Sequence, residues 1–144
     1  MLMARVKEGM GLLIAAGNGW TPGRAGDSLE SLTALPLRDA MVIKPGDFSR
    51  LPNEEPDPAS FAGFMQSFAD IKSFSGVKVR GYWIAEDLAK SDARVLARLG
   101  NQSPLVAFRQ VGRGRLVLMT TSLDRDWSDL CLTPGFIPFL DRLF

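Results

Sequence analysis

Apolar positions change their spacing several times along the chain, and each change marks an element. At the start, Leu2, Met3, Val6 and Met10 recur at helical spacing while Arg5, Lys7 and Glu8 fall on the other side. This predicts a short helix that Gly9 can end. The run Gly11-Leu12-Leu13-Ile14-Ala15-Ala16-Gly17 has no polar side chain. That is the pattern of a strand buried on both faces in a parallel sheet covered by helices. A helix that opens the chain and feeds such a strand lacks the strand it should follow, so the first βα elements of the parent fold are expected upstream. Gly17 to Gly26 (GNGWTPGRAG) is a glycine-rich loop, and Asp27 or Ser28 can cap a short helix through Leu32. Ala40 to Lys44 predicts a short strand closed by Pro45-Gly46. Leu51 to Pro58, with three prolines and three acids, predicts a loop. Phe61, Phe64, Met65 and Phe68 share one face of a helix over Ala59 to Phe68.

Val77, Val79 and Tyr82-Trp83-Ile84 predict a strand over Val77 to Ile84. Two readings stand for the next segment. Ser91-Asp92 can cap a helix from Ala93 to Leu99, or Arg94 to Leu99 can be the first strand of a meander. Pro104 to Gln110 and Arg115 to Thr121 predict strands joined by the tight turn Val111-Gly112-Arg113-Gly114. Phe136 to Leu143 predicts a final amphipathic helix, with Pro134 or Pro138 shaping its start.

Composition narrows the class. A chain of 144 residues with 46% hydrophobic content fits one compact domain with a real core. A formal net charge of +1, from 17 basic and 16 acidic residues, gives no field that would attract nucleic acid or insert into an anionic membrane. Cys131 is the only cysteine, which excludes an internal disulfide and a cysteine-rich zinc site. No apolar run approaches the roughly 18 residues that span a bilayer. The N-terminal residues lack a signal-peptide pattern, so this stretch of chain is expected to be soluble.

From Val95 onward the features come in a recognisable order: Val95-Leu96-Ala97-Arg98-Leu99, Pro104-Leu105-Val106, Gly112-Arg113-Gly114-Arg115-Leu116-Val117-Leu118, Thr120-Thr121-Ser122-Leu123, Trp127-Ser128-Asp129-Leu130 and Phe136-Ile137-Pro138-Phe139-Leu140. This order resembles the glutamine-amidotransferase-like domain near the C-terminus of aerotolerance-related, von Willebrand A-containing bacterial membrane proteins. Val6-Lys7-Glu8-Gly9-Met10-Gly11-Leu12-Leu13-Ile14 resembles that domain's helix-then-strand entry. The likeness covers both ends and is weak from about Gly23 to Ser75. It implies an α/β fold: a flavodoxin-like, glutamine-amidotransferase-like three-layer domain, incomplete here, with an antiparallel β-hairpin extension. It also implies a strand at the ambiguous segment and a parent anchored in a bacterial envelope, with this domain outside the bilayer.

The parent enzyme class uses a cysteine on a strained strand-to-helix turn, activated by histidine. This chain has no histidine, and no buried parallel strand leads into Cys131, which reads as a small apolar filler. The resemblance agrees, since related domains are apolar or proline-bearing at this position. No catalytic residues, cofactor or metal are therefore expected. A weaker candidate is a ligand edge built from Gly17, Asn18, Gly19 and Trp20 with Thr121 and Ser122. Free N–H groups after a buried strand can hold an anion, and ligands in open α/β sheets bind beyond the carboxyl ends of strands. Asp124, Asp126 and Asp129 lack a calcium-loop pattern and read as a solvated acidic turn partly paired with Arg125, which Trp127 anchors to the core. Glu54, Glu55 and Asp57 read as solvated, and so do Arg109, Arg113 and Arg115 at the hairpin. Phe61, Phe64, Phe68, Phe74, Tyr82 and Trp83 read as mostly core. The expected role is a non-catalytic interaction or scaffold module. Its partners are other domains of the parent chain or a protein partner, a homo-oligomer included. The alternative is a small-ligand domain for an anion or sugar.

Overall fold

The computed structural model describes residues 2–21, 37–43, 47, 49–50, 77–85 and 92–143. Helix α1 (Leu2–Glu8) runs into strand β1 (Gly11–Ala15). Strands β2 (Leu37–Val42), β3 (Ser49–Arg50), β4 (Lys78–Val79), β5 (Gly81–Ala85), β6 (Arg94–Arg98), β7 (Pro104–Val111) and β8 (Gly114–Met119) follow, then a 3-10 turn (Leu130–Leu132) and helix α2 (Phe136–Leu143). The helices expected near Asp27–Leu32 and Ala59–Phe68, the acidic loop, and Phe61, Phe64, Phe68 and Phe74 lie outside the described residues.

The main sheet has the order β1-β8-β7-β6. β1 runs parallel to β8, with Ile14 opposite Leu118 and Ala15 opposite Met119. β7 pairs antiparallel with both β8 and β6. The domain is thus a small mixed α/β unit with a β-hairpin extension. Strand alternation divides its apolar side chains between two faces. Val117, Met119, Val106, Phe136 and Phe139 gather on the α2 face. Val6, Ile14, Leu116, Leu118 and Ala107 gather on the α1 face.

Gly9 ends α1 at a φ of 126°, a conformation that suits glycine. The N–H of Gly9 donates to Val6 O, and that of Met10 to Arg5 O. Leu2, placed on the apolar face by its spacing, is 41% exposed. β1 itself departs from the double-buried expectation. Only Ile14 is buried within it, Leu12 and Leu13 are half-buried and Gly11 is exposed. Among the described residues β8 is its one strand partner, so β1 lies at a sheet edge.

The strand expected over Val77 to Ile84 divides at Arg80. The N–H groups of Arg80 and Gly81 both donate to Trp127 O, and Arg80 O accepts from Ile43 N. β4 then pairs with β3, and β5 with β2. The ambiguous segment is strand β6. Its Arg94 and Arg98 are exposed around a buried Leu96, an alternation no helix face would give. Thr120 and Thr121, expected inside a strand, follow the end of β8, where Thr120 O accepts from Trp83 N of β5.

The β7–β8 hairpin rests on α1. Gly112 has a φ of 63°, Arg113 N donates to Lys7 O, and Arg115 N to Met10 O. A Cβ at Gly114 would run into Val6 O and lie 2.6 Å from Met10 O. The hairpin turn and the helix end are therefore in backbone contact.

Candidate functional site

The parallel pairing of β1 and β8 carries both chains to the same edge of the sheet. Beyond it, Ala16 N donates to Met119 O, and a Cβ at Gly17 would lie 3.0 Å from Ser122 Cβ. The Gly17–Trp20 turn closes with Trp20 N donating to Gly17 O at 3.0 Å. The same oxygen accepts from Trp83 Nε1 at 3.0 Å. Gly17, Asn18, Gly19 and Trp20 thus stand beside Thr121 and Ser122. Asn18 and Gly19 are exposed, and Thr121 and Ser122 are buried.

The buried hydroxyls of this edge point into the protein. Thr120 Oγ1 donates to Pro104 O at 2.8 Å, Thr121 Oγ1 to Gly81 O at 2.8 Å, and Ser128 Oγ to Ser122 O at 3.1 Å. Burying a hydroxyl without a partner costs about 1–3 kcal/mol, so these bonds tie β8, β5 and β7 together where the sheet ends. Ser122 Oγ donates to Asp124 Oδ1 at 2.6 Å, and Asp126 N donates to the same oxygen at 3.0 Å.

These donors set the charge state of Asp124. The Ser122 hydroxyl holds its carboxyl below the usual carboxylate range, against the opposing effect of burial, and the Asp126 and Trp127 backbone adds to the lowering. A carboxylate held low is a poor proton acceptor at neutral pH, so it does not prime Ser122 as a nucleophile. Its role here is to fix the turn. A carboxyl whose pKa is lowered by folding contributes stability above its unfolded value of about 3.9, and that contribution vanishes as pH falls through the folded value. Asp124→Asn is therefore expected to lower the melting temperature at neutral pH, and the gap to the parent protein is expected to narrow below about pH 4. Circular-dichroism melts across pH check this, and a gap independent of pH would refute it.

Asp129 does not belong to a loose acidic turn paired with Arg125. It forms a bidentate pair with Arg80, Nη1–Oδ1 at 2.9 Å and Nη2–Oδ2 at 3.0 Å. The hydrogen bond to Asp129 raises the Arg80 pKa further, against a small opposing burial effect. Arg125 contributes its carbonyl oxygen, which accepts from Arg80 Nη1 at 3.5 Å. Trp127 is 7% exposed and sits on Gly81, so it anchors the turn. Its ring centroid lies 6.3 Å from that of Trp83.

The hairpin arginines do not form a solvated cluster. Arg109 Nε lies 2.8 Å from Asp92 Oδ1 with the arginine side chain only 27% exposed. Arg113 Nη2 donates to Glu8 O at the C-terminal end of α1. Cys131 is half-buried in the 3-10 turn and packs on the α2-face core. Among the described residues no group of three metal-ligating side chains comes together, and no helix is long and apolar enough to cross a membrane.

Sequence reasoning missed the Ser122–Asp124 bond, the Arg80–Asp129 pair and the seat of Trp127 on Gly81. The first had a signal, since Ser-x-Asp-x-Asp after a strand suits a side-chain-closed turn. Gly81 inside an apolar strand signals a close approach, without saying of what.

No family model and no curated protein matches the chain. Solved structures do. A cytoplasmic protein of Salmonella typhimurium superposes with a TM-score of 0.70 at 18% identity, over 98% of this chain and 56% of that one. A second cytoplasmic protein, from Salmonella typhimurium LT2, gives 0.58 at 18% identity over 99% and 54%. A β-galactosidase of Rahnella sp. R3 gives 0.56 at 14% identity, over 83% of this chain and 17% of the enzyme. The chain therefore spans about half the length of the two Salmonella proteins. At these identities the likeness is one of fold, a fold that occurs in bacterial proteins and within a much longer enzyme chain.

Proposed function

We propose that this chain is a non-catalytic, glutamine-amidotransferase-like module of a bacterial envelope protein, working as an interaction or scaffold domain. One observation carries the reading. At the strand ends, where such folds place their chemistry, the buried hydroxyls are spent on the protein's own backbone and on Asp124, while large apolar side chains stand in water elsewhere. Leu132 is 57% and Ile137 is 70% exposed, at the 3-10 turn and on the adjoining helix α2. Neighbouring exposed apolar residues of this kind mark contact surfaces. In this reading the flavodoxin-like layer supplies rigidity, and α2 presents the surface to a sister domain of the parent chain.

Titration calorimetry between this chain and the separately produced neighbouring domains of its parent tests the proposal. Binding is expected, and Ile137→Asp is expected to weaken it by at least about tenfold, the effect of a charge placed in a contact centre. No binding to any neighbouring domain, or binding indifferent to Ile137→Asp, would refute it. The alternative, a domain for a small anion or sugar, draws on the juxtaposition of the exposed Gly17–Trp20 turn with Ser122. A thermal-shift screen with phosphate, sulfate, monosaccharides and nucleotides separates the two. Stabilisation abolished by a change at Asn18 would favour the alternative.

A further inference from the structure

The two edges of the main sheet are built differently. The β6 edge carries exposed Arg94 and Arg98 and two irregularities of register against β7. Charges and bulges of this kind blunt an edge against further strands. The β1 edge carries neither. From Met10 to Gly17 there is no charged side chain and no proline, and the pairing of β1 with β8 is regular throughout.

The hydrogen bonds show which backbone groups of β1 face outward. Met10 O accepts from Arg115 N, and Ala16 N donates to Met119 O. Neighbouring residues of a strand direct their N–H and C=O to opposite sides. Residues 10, 12, 14 and 16 therefore turn to β8, and Gly11, Leu13 and Ala15 turn away from it. Among the described residues none of these three reaches a hydrogen-bond partner. Leu12 on the α1 face and Leu13 on the α2 face are only half-buried, so apolar surface flanks the open edge on both sides.

We propose that β1 pairs antiparallel with β1 of a second copy, joining two sheets into one. The edge is self-complementary. A two-fold axis at Leu13 sets Leu13 against Leu13 of the other copy and Gly11 against Ala15, and all of these are outward-facing residues. The same register sets Leu12 against Ile14 on the α1 face, which brings apolar side chains together on both sides of the junction. A net charge of +1 per copy gives almost no repulsion between them. Symmetric contacts of this type close on themselves without forming fibres. The contact uses a different element from Leu132 and Ile137, so its failure would leave the proposed function standing.

The test combines sedimentation with amide hydrogen exchange on the 144-residue protein at low micromolar and millimolar concentration. The expected result is a dimer whose formation brings the Leu13 and Ala15 amides to the protection of Leu12 and Ile14. Ala15→Pro removes an outward N–H while leaving the bonds to β8, and Leu13→Lys places a charge on the edge. Each is expected to weaken the dimer by roughly tenfold or more. A monomer at millimolar concentration with freely exchanging Leu13 and Ala15 would overturn the proposal. So would a dimer in which those amides stay unprotected, or one that survives both substitutions. Should either variant fail to fold, the exchange pattern of the unaltered protein decides alone.

Discussion

Gly114→Ala is expected to destabilise the protein by about 3 kcal/mol or more, lowering its melting temperature by roughly 10 °C. The argument is one of space. The added methyl would fall on Val6 O and within 2.6 Å of Met10 O, and its other close neighbour is Val6 C at 2.7 Å. These are backbone atoms at the end of α1 and the entry to β1, with no side chain that can rotate away. Relief requires moving the helix off the hairpin, which disturbs the burial of Val6 and the Arg113 N to Lys7 O bond. Gly112→Ala would meet Lys7 O at 2.7 Å and add the strain of a φ of 63°. Gly19→Ala is the control, because no atom lies within 4 Å of its Cβ position. Thermal melts of the three variants check the account, and a Gly114→Ala protein as stable as Gly19→Ala would contradict it.

Gly81→Ala is expected to have a comparable effect through a side chain. Its methyl would enter the indole of Trp127, whose ring carbons lie 2.6, 2.7 and 2.8 Å from that position. The ring must then leave its seat, forfeiting most of the burial of a tryptophan that is 7% exposed, a loss of about 3 kcal/mol. Trp127→Ala alone is expected to cost about 3–5 kcal/mol by the same accounting. The two changes are not additive. In a Trp127→Ala background Gly81→Ala is expected to be close to neutral, because the clash has gone, giving a coupling of about 2–3 kcal/mol. Chemical-denaturation midpoints for the four proteins of the cycle, with tryptophan emission shifting red in Gly81→Ala, check this. Additive losses would mean that Gly81 fails for another reason.

Gly81 and Trp127 also show where the sequence stopped being informative. Short-range patterns were legible. Helical spacing from Leu2 to Met10 and from Phe136 to Leu143 found both described helices, and the glycines at 112 and 114 found the hairpin. Segment 94–98 stayed ambiguous because five residues with a single buried position fit either period. Its pairing with β7 decides the matter. The Arg80–Asp129 pair joins residues 49 positions apart, and nothing local to either residue announces the other. β1 is the most instructive case. Its unbroken apolar run describes a strand suited to the inside of a sheet, and the structure places it at an edge with half-covered leucines. Composition reports what a strand is fitted for, while its surroundings depend on what lies alongside. The candidate edge was legible in the same partial way. Gly17–Trp20 and Thr121–Ser122 do meet, because β1 and β8 are parallel, but the inward commitment of the hydroxyls depends on acceptors contributed by Pro104, Gly81 and Ser122.

The central claim is that this domain acts through its surface. It is tested most directly by a photo-crosslinking residue placed at Ile137 in the parent protein within its own cells, with the same residue at exposed Gln110 as control. The account predicts strong adducts from position 137, between this domain and a sister domain or one defined protein, and background labelling from position 110. Equal labelling from the two positions, together with stabilisation of the Gly17–Ser122 edge by a small molecule, would contradict it.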